Sequence, residues 1–583
     1  MTETTPVIWP AAWLRALLII AAGAFALWPV LDSPWYGDDD LYILNNPLMS
    51  DPFRLREAWF GPGTFIEYYP LSETVQWLQW QAWGDQPIKY HATNLALHLA
   101  SALLVWWLLA KFRLRFAWVG GLIFAVHPLF VDTIAAANEL KNTLSLPPFL
   151  LAMGFYLDFE KSGKPIYYRF AVALFLVAML CKITMAFFPG VILLYAWWKR
   201  GRITMDDMGR AVPFLGISLV LMGLTLHAGD IYAATIHYES PAPIHLGGLF
   251  NRLALAGLSL AFYIGRAFFP LDPLPLYPLW KIDPLTPWLF LPLLLVAAIV
   301  ALCWSRRSSW GRPILFALGF FVLGLAPFLG LNQTSYMAMT WTSDHFLYIP
   351  ILAPIALAMA GLDLWAQRVS ARVQPLIMAG VGVMAGLLVF QTWSYSRLFP
   401  EPEKLWAYDE QFNPDSWFPP FRIGALAYGR NQMPEAAAYL HRSTQLNPDF
   451  WSAQFYAGLS LCNTGHFDEG IEALRQSIRL RPYDFSAHFY LGMAMLHVNN
   501  LDEAITEFKA ALRARSDSVE VEGALSSTLL KAGRYDEALG HVEHALLVAP
   551  NNEALEQLYT TILQAQKAAA AHPNAKPPAA KQG

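Results

Sequence analysis

A chain of 583 residues in which 56% are hydrophobic and 14% charged is too apolar to be one soluble protein, whose charged fraction runs near ~25%. A net charge of -4 with no long basic run excludes nucleic acid as the main partner. The three cysteines, Cys181, Cys303 and Cys462, exclude both a disulfide framework and a CxxC metal site.

Acidic residues become frequent only after about Glu401, so a very apolar part precedes an ordinary one. The first apolar stretch, about Trp13 to Leu31, carries Arg15 near its start and is longer than a secretory h-region, so an uncleaved anchor is expected. A bilayer core takes about 20 apolar residues in a helix. Crossings are accordingly predicted near 11–31, 91–110, 115–132, 144–158, 168–198, 211–229, 250–269, 285–304, 313–330, 346–364 and 375–395, eleven in all. Trp106 with Trp107, and Trp197 with Trp198, mark interfaces.

With eleven crossings, Lys111, Arg113 and Arg115, then Lys161, Lys164 and Arg169, then Arg306, Arg307 and Arg312, and finally Arg368 and Arg372 fall on one side. That side is expected to be cytoplasmic. Lys199, Arg200 and Arg202 land opposite if 168–198 crosses once. A hairpin interrupted at Lys182 and Pro189 would move two later clusters instead, so a single crossing is kept. The loop 32–90, the loops near 133–143, 270–284 and 331–345, and the C-terminal part then share the outer face.

Polar residues stand out against this background. Asp38, Asp39 and Asp40 follow the first span. Adjacent carboxylates at a membrane boundary raise one another's pKa or need a cation, which suits a general base or a metal site; a solvated acidic turn is the bland alternative. Asn45-Asn46-Pro47, Tyr68-Tyr69-Pro70-Leu71 and a Trp-rich amphipathic stretch from Thr74 to Trp83, suited to the interface, follow. His91, Asn94 and His98 share one helical face, either functional or interhelical glue. His127-Pro128 leads to Asp132, Glu139 and Lys141. Lys182 interrupts an apolar run at a cost of ~2.5–3.5 kcal/mol unless it meets a carboxylate, a phosphate or water. Asp344, His345 and Tyr348 open a late span.

From Trp417 the sequence repeats every 34 residues, the period of tetratricopeptide helix pairs. Gly424, Gly458, Gly492 and Ser526 hold the small-residue position. Ala436, Gly470, Ala504 and Ala538, then Pro448, Pro482, Ser516 and Pro550, keep the register. Asp468, Asp502 and Asp536 are expected at or near the N-caps of second helices. The concave face of such a solenoid holds extended peptides or partner proteins, with Tyr428, Phe455, Tyr456, His488 and Phe489 as candidate lining or core. After about Leu563 a frayed helix and a disordered tail are expected.

In this order the motifs resemble those of the GT-C superfamily of multipass glycosyltransferases that carry C-terminal tetratricopeptide repeats, including the transmembrane and tetratricopeptide-containing O-mannosyltransferases. The acidic pair Asp38-Asp39 with Tyr42, Asn46 and Pro47 carries the resemblance. So do Tyr68-x-Pro70-Leu71, His91-x-x-Asn94-x-x-x-His98, His127-Pro128, Lys141-Asn142, Lys182 and Asp344-His345 before Leu347-Tyr348. Leu140 stands where many relatives have Arg, and Ile183 where an acidic residue or Pro is frequent.

The resemblance implies an all-α fold: a polytopic GT-C-like membrane domain over 1–396, a connecting helix 397–416, four repeats at 417–450, 451–484, 485–518 and 519–552, and a capping helix with tail at 553–583. It implies transfer of a sugar from a polyprenyl-phosphate carrier to a hydroxyl acceptor on protein held by the repeats, at the outer face of a membrane, here a bacterial inner membrane with periplasmic repeats. Asp38 or Asp39 would be the catalytic base. Lys141, Lys182 and His345 would hold the donor phosphate, with Asp40, His91, Asn94, His98, His127, Asp344 and Tyr348 in support and the lipid tail between apolar helices. Whether magnesium or manganese bridges Asp38 and Asp39 stays open, since the superfamily includes metal-using and metal-free members. A non-catalytic membrane-anchored scaffold and a polysaccharide ligase or polymerase are the competing readings.

Overall fold

The structure, a computed structural model, describes residues 9–51, 54–61, 68–235, 246–283, 286–370 and 372–571. It divides into two units, Met1–Leu405 and Trp406–Gly583, and is helical throughout, with no strand among the described residues.

Thirteen helices organise the first unit: α1 (Trp9–Leu27), α2 (Pro70–Trp83), α3 (Pro87–Lys111), α4 (Ala117–Ala125), α5 (Leu140–Ser162), α6 (Pro165–Cys181), α7 (Phe188–Arg200), α8 (Met205–Thr235), α9 (Leu249–Phe268), α10 (Leu291–Ser305), α11 (Gly311–Leu325), α12 (Leu352–Arg368) and α13 (Gln374–Ser396). Six segments are long and apolar enough to cross a membrane, built on α1, α3, α8, α10, α11 and α13, and α4 with its bent continuation to Ala135 makes a seventh. The outward surface is hydrocarbon, as on Leu215, Leu294 and Leu387, which is what a bilayer demands. The chain is a multi-pass membrane protein.

One end of the bundle is basic and stitched by ion pairs. Lys111 meets Asp158, Arg200 meets both Glu160 and Asp207, Arg210 meets Glu160, and Arg115 meets Asp363. These pairs correct two of the sequence expectations. The stretch 168–198 is not one crossing: α6 rises from the basic end to Cys181, the chain turns through Lys182–Phe187, and α7 returns to place Arg200 on Glu160. Lys182 and the Pro at the start of α7 break the helix where the backbone must reverse.

The stretch 250–269 is not a crossing either. Arg252 donates to the carbonyl of Leu331 at 3.0 Å, the Tyr263 hydroxyl accepts from the Ser343 amide at 3.1 Å, and Arg266 lies 4.6 Å over the Tyr277 ring. All of α9 therefore runs along loops at the end opposite the ion pairs. The expected count of eleven crossings therefore does not stand as drawn, six or seven segments among the described residues being long and apolar enough to cross, while Lys199, Arg200 and Arg202 join the other Lys and Arg clusters at the basic end.

The helix α2 inverts the usual amphipathic order. It buries Ser72, Glu73, Gln76 and Gln79 and exposes Leu78, because its outward surroundings are apolar. The Ser72 hydroxyl donates to the Cys181 carbonyl at 2.9 Å, pinning the tip of the α6–α7 hairpin.

In the second unit, eight helices form four antiparallel pairs: α14 (Phe418–Gly429) with α15 (Met433–Leu446), α16 (Trp451–Asn463) with α17 (Phe467–Leu480), α18 (Phe485–His497) with α19 (Leu501–Ala514), and α20 (Val519–Lys531) with α21 (Tyr535–Val548). A last helix, α22 (Glu553–Ala571), packs on the fourth pair. The tail expected beyond it, 572–583, lies outside the described residues.

The small-residue register has a direct cause. A Cβ on Gly424, Gly458 or Gly492 would stand 2.6, 2.7 and 2.7 Å from Leu440, Leu474 and Phe508 of the paired helix. Gly492→Leu is therefore expected to destabilise the array by about 1–3 kcal/mol through overpacking, read as a lower denaturant midpoint of the repeat unit's unfolding transition. An unchanged midpoint would refute this origin of the period.

Asp468, Asp502 and Asp536 sit second in their helices and do not cap them. The side-chain caps are Asn500, Asp484 and Ser518, accepting from Glu503, Ala487 and Val521. Of the candidate groove residues, Phe455, Phe489 and His488 are buried, the last held between Glu507 and the Pro482 carbonyl, while Tyr428 and Tyr456 meet edge to face at 5.2 Å.

Candidate functional site

The polar residues read from the sequence gather at the non-basic end of the first unit. Gly37, with φ +62°, reverses the chain after α1 and sends the three aspartates in different directions. Asp38 and Asp40 are exposed, whereas Asp39 is fully buried. The Asp39 carboxylate accepts from the amides of Tyr36 at 3.0 Å, Ala137 at 3.1 Å and Asn138 at 2.7 Å. Burial pushes its carboxyl up, to about 7, against the pull of these three amides, with Asp38 adding repulsion. Asp39 is thus a clamp between the first loop and the segment after Pro128. Asp38 and Asp40 are the acidic side chains that remain presented outward.

Next to Asn138 stands Glu139, which the sequence left as a bystander and which proves to be the hub of the cations. Lys141 Nζ lies 3.6 Å from its carboxylate, Asn142 donates to it, and Lys182 Nζ donates to Asn142 Oδ1 at 2.6 Å. Burial alone would raise the Glu139 carboxyl, but Lys141, Lys182 and His345 overcome it and hold the group near 2. The Lys141 ammonium also faces the rings of Tyr42 at 4.9 Å and Tyr69 at 5.9 Å, the latter from the Tyr68-Tyr69-Pro70 element. His345 Nδ1 lies 2.9 Å from Ser343 Oγ and 3.6 Å from Asp132. Lys182 and His345 share a small recess with Asn142, Thr184, Phe328 and Ile349, polar on one wall and apolar on the other. No single signal marked Glu139: it lies in an irregular turn, where periodicity says nothing about direction.

The remaining candidates are held by hydrogen bonds and ring contacts within the first unit. His91 meets the Ser33 carbonyl at 3.1 Å, Asn94 donates to the Ala136 carbonyl at 2.9 Å and accepts from Thr143, and His98 bridges the Tyr348 hydroxyl at 3.0 Å and the Ala125 carbonyl. Every member of that helical face joins α3 to a neighbour, so the face is interhelical glue. His127 is buried beside Phe130.

Asp344 turns away from His345 and accepts from the Tyr277 hydroxyl at 2.9 and 3.0 Å. Burial lifts its carboxyl to about 8, although Arg266 and Tyr277 pull it down. A raised carboxyl contributes stability that is complete below the unfolded value near 4 and is lost as pH rises through about 8. Melting curves of Asp344→Asn should match the parent at acid pH and lack its decline between about pH 4 and pH 8. An equal decline in both would show that Asp344 is not the group responsible.

Magnesium or manganese finds no ready cage in the acidic pair. Among the described residues no three His, Cys, Asp or Glu side chains converge on a metal site. Asp39 spends both oxygens on backbone donors. The donor set does not fit a protein-held ion, and no step below passes through one.

Tetratricopeptide-repeat profiles match residues 457–519 and 495–562. Among solved structures the chain is similar to a MamA structure at 24% identity, covering 26% of this chain and 85% of that one with a TM-score of 0.24, and to YrrB, a repeat protein with an unusual peptide-binding site, at 15% identity, covering 28% and 94% with a TM-score of 0.25. The curated relatives are the protein O-mannosyl-transferases TMTC1 of Homo sapiens, 29% identical over 203 residues (31% of this chain, 23% of the relative), and of Mus musculus, 30% identical over 209 residues (30% and 22%). The chain spans under a quarter of the length of those relatives, and what it shares with them is a distant similarity to repeat-bearing O-mannosyl-transferases.

Proposed function

We propose that the protein is a membrane glycosyltransferase that moves a sugar, mannose by the likeness to TMTC1, from a polyprenyl-phosphate donor to a hydroxyl acceptor. The observation that carries this reading is the clamp of Asp39. It holds the outward-facing Asp38 beside the Glu139 turn, where Lys141, Lys182 and His345 collect. Asp38 takes the proton of the acceptor hydroxyl as its oxygen attacks the anomeric carbon. The bond from that carbon to the phosphate oxygen breaks, and the electron pair leaves with polyprenyl phosphate. A phosphate leaving group needs no acid, only positive charge where charge develops, which Lys141, Lys182 and His345 supply. The recess of Lys182 and His345 is also lined by Phe328 and Ile349, in keeping with a phosphate on a hydrocarbon chain.

All basic clusters lie at the other end of the bundle, so by the positive-inside rule this chemistry faces the outer, periplasmic side of an inner membrane. The repeats give the acceptor protein a groove. Purified protein incubated with labelled polyprenyl-phosphate mannose, with and without a peptide acceptor, should consume donor and label the peptide. Neither donor consumption nor peptide labelling would leave the membrane-anchored scaffold as the better account.

A further inference from the structure

A second cavity, of about 280 Å³, lies in the basic half of the bundle among α3, α5, α7, α11 and α12. Its walls are hydrocarbon, with Val105, Tyr156, Ile192, Phe316 and Leu357 among them, and Lys199 stands on its rim. Of the cations beside it, Lys111 has Asp158, Arg200 has Glu160 and Asp207, and Arg312 donates to the Trp198 carbonyl at 3.5 Å. Lys199 is exposed and has no carboxylate partner among the described residues. Its ammonium rests 4.0 Å over the Trp198 ring and 5.8 Å over that of Tyr195, two aromatic faces that steady a cation without neutralising it.

An apolar cavity with an unneutralised cation in its lining has the complement of a lipid with an anionic head. Burying CH₂ groups is favourable, so an acyl chain has reason to enter, and the phosphate would give Lys199 the counter-charge it lacks. We infer that the cavity holds one acyl chain of an anionic phospholipid from the leaflet at the basic end, with the headgroup phosphate on Lys199. Such a site is separate from the donor phosphate site and stands whether or not the chain transfers sugar.

The test uses the full protein in nanodiscs carrying a photoreactive diazirine acyl chain on phosphatidylglycerol or, in parallel, on phosphatidylcholine, with cross-links mapped by mass spectrometry. Phosphatidylglycerol should label cavity residues such as Met153 and Leu357 several-fold above the bilayer-facing control Leu219. It should exceed phosphatidylcholine by about five-fold, the worth of one lysine at an anionic surface. Lys199→Gln should erase that preference and keep the cavity labelled. Ala356→Trp, which fills the cavity, should remove the labelling.

Cavity labelling no higher than at Leu219, labelling that survives Ala356→Trp in a folded protein, or equal labelling by both lipids in the parent would overturn the inference. So would displacement by polyprenyl phosphate that is indifferent to Lys199→Gln, since it would give the cavity to the sugar donor's chain. Because the readout is a cross-link, failure here leaves the transferase reading untouched, and loss of transfer leaves this one untouched.

Discussion

Asp38→Asn is expected to lower donor consumption by roughly 10²- to 10⁴-fold, the range of a lost general base, with the melting temperature unchanged. The side chain is exposed and its isosteric amide costs the fold little. Asp39→Ala should behave differently. It strips the acceptor from three buried amides. Leaving such donors unpaired costs about 1–3 kcal/mol each, so the first loop should loosen from the Ala137–Asn138 segment and the protein should melt lower. Labelled donor and thermal melts on the same two variants separate the roles. Full donor consumption by Asp38→Asn would remove it as the base, and an Asp39→Ala protein as stable as the parent would remove the clamp.

The second large effect is expected at Glu139. Its folded carboxyl is held near 2 against an ordinary value of 4.5. A depressed carboxyl contributes stability that is present above the unfolded value and is lost as pH falls through the folded one. The window therefore lies between about pH 4.5 and pH 2, and the size is on the order of 3 kcal/mol. Glu139→Gln leaves Lys141 without its carboxylate and the Asn142–Lys182 pair without its anchor. Breaking a buried pair on one side costs about 3–5 kcal/mol. The variant should melt lower than the parent at neutral pH and show a flatter acid limb. A parent-like melting temperature at neutral pH would mean that Lys141 and Lys182 do not depend on Glu139.

The repeat array was legible because its rule is steric. A position that tolerates no side chain beyond Gly or Ser recurs wherever Leu440, Leu474 or Phe508 presses on the neighbouring helix, and the period follows. Polar residues inside apolar runs were legible for a similar reason, since their cost is set by the membrane before any partner is known; thus Lys182 and the face of His91, Asn94 and His98 were marked. What they do was not legible. Glue and chemistry use the same residue types, and only the partner atoms, Ser33, Ala136 and Tyr348, decided for glue.

The three adjacent aspartates are chemically alike in the sequence, and only the partner amides, Tyr36, Ala137 and Asn138, distinguish the buried Asp39. The stretch 250–269 read as a crossing because its apolar face suits lipid as well as core, while its loop contacts are invisible to hydropathy. Glu139, in a turn without period, could be found only by following the cations back to their counter-charge.

The hairpin of α6 and α7 bears on how the protein is made. With 17 and 13 residues, at about 1.5 Å per residue, the second helix falls well short of a bilayer about 30 Å thick, and the pair carries an ammonium at its tip. Neither half is a convincing insertion signal on its own. The two are therefore expected to enter the bilayer together, with Asn142 of the earlier α5 in place to receive Lys182. The order of helices in the chain, with α5 synthesised first, makes that meeting immediate.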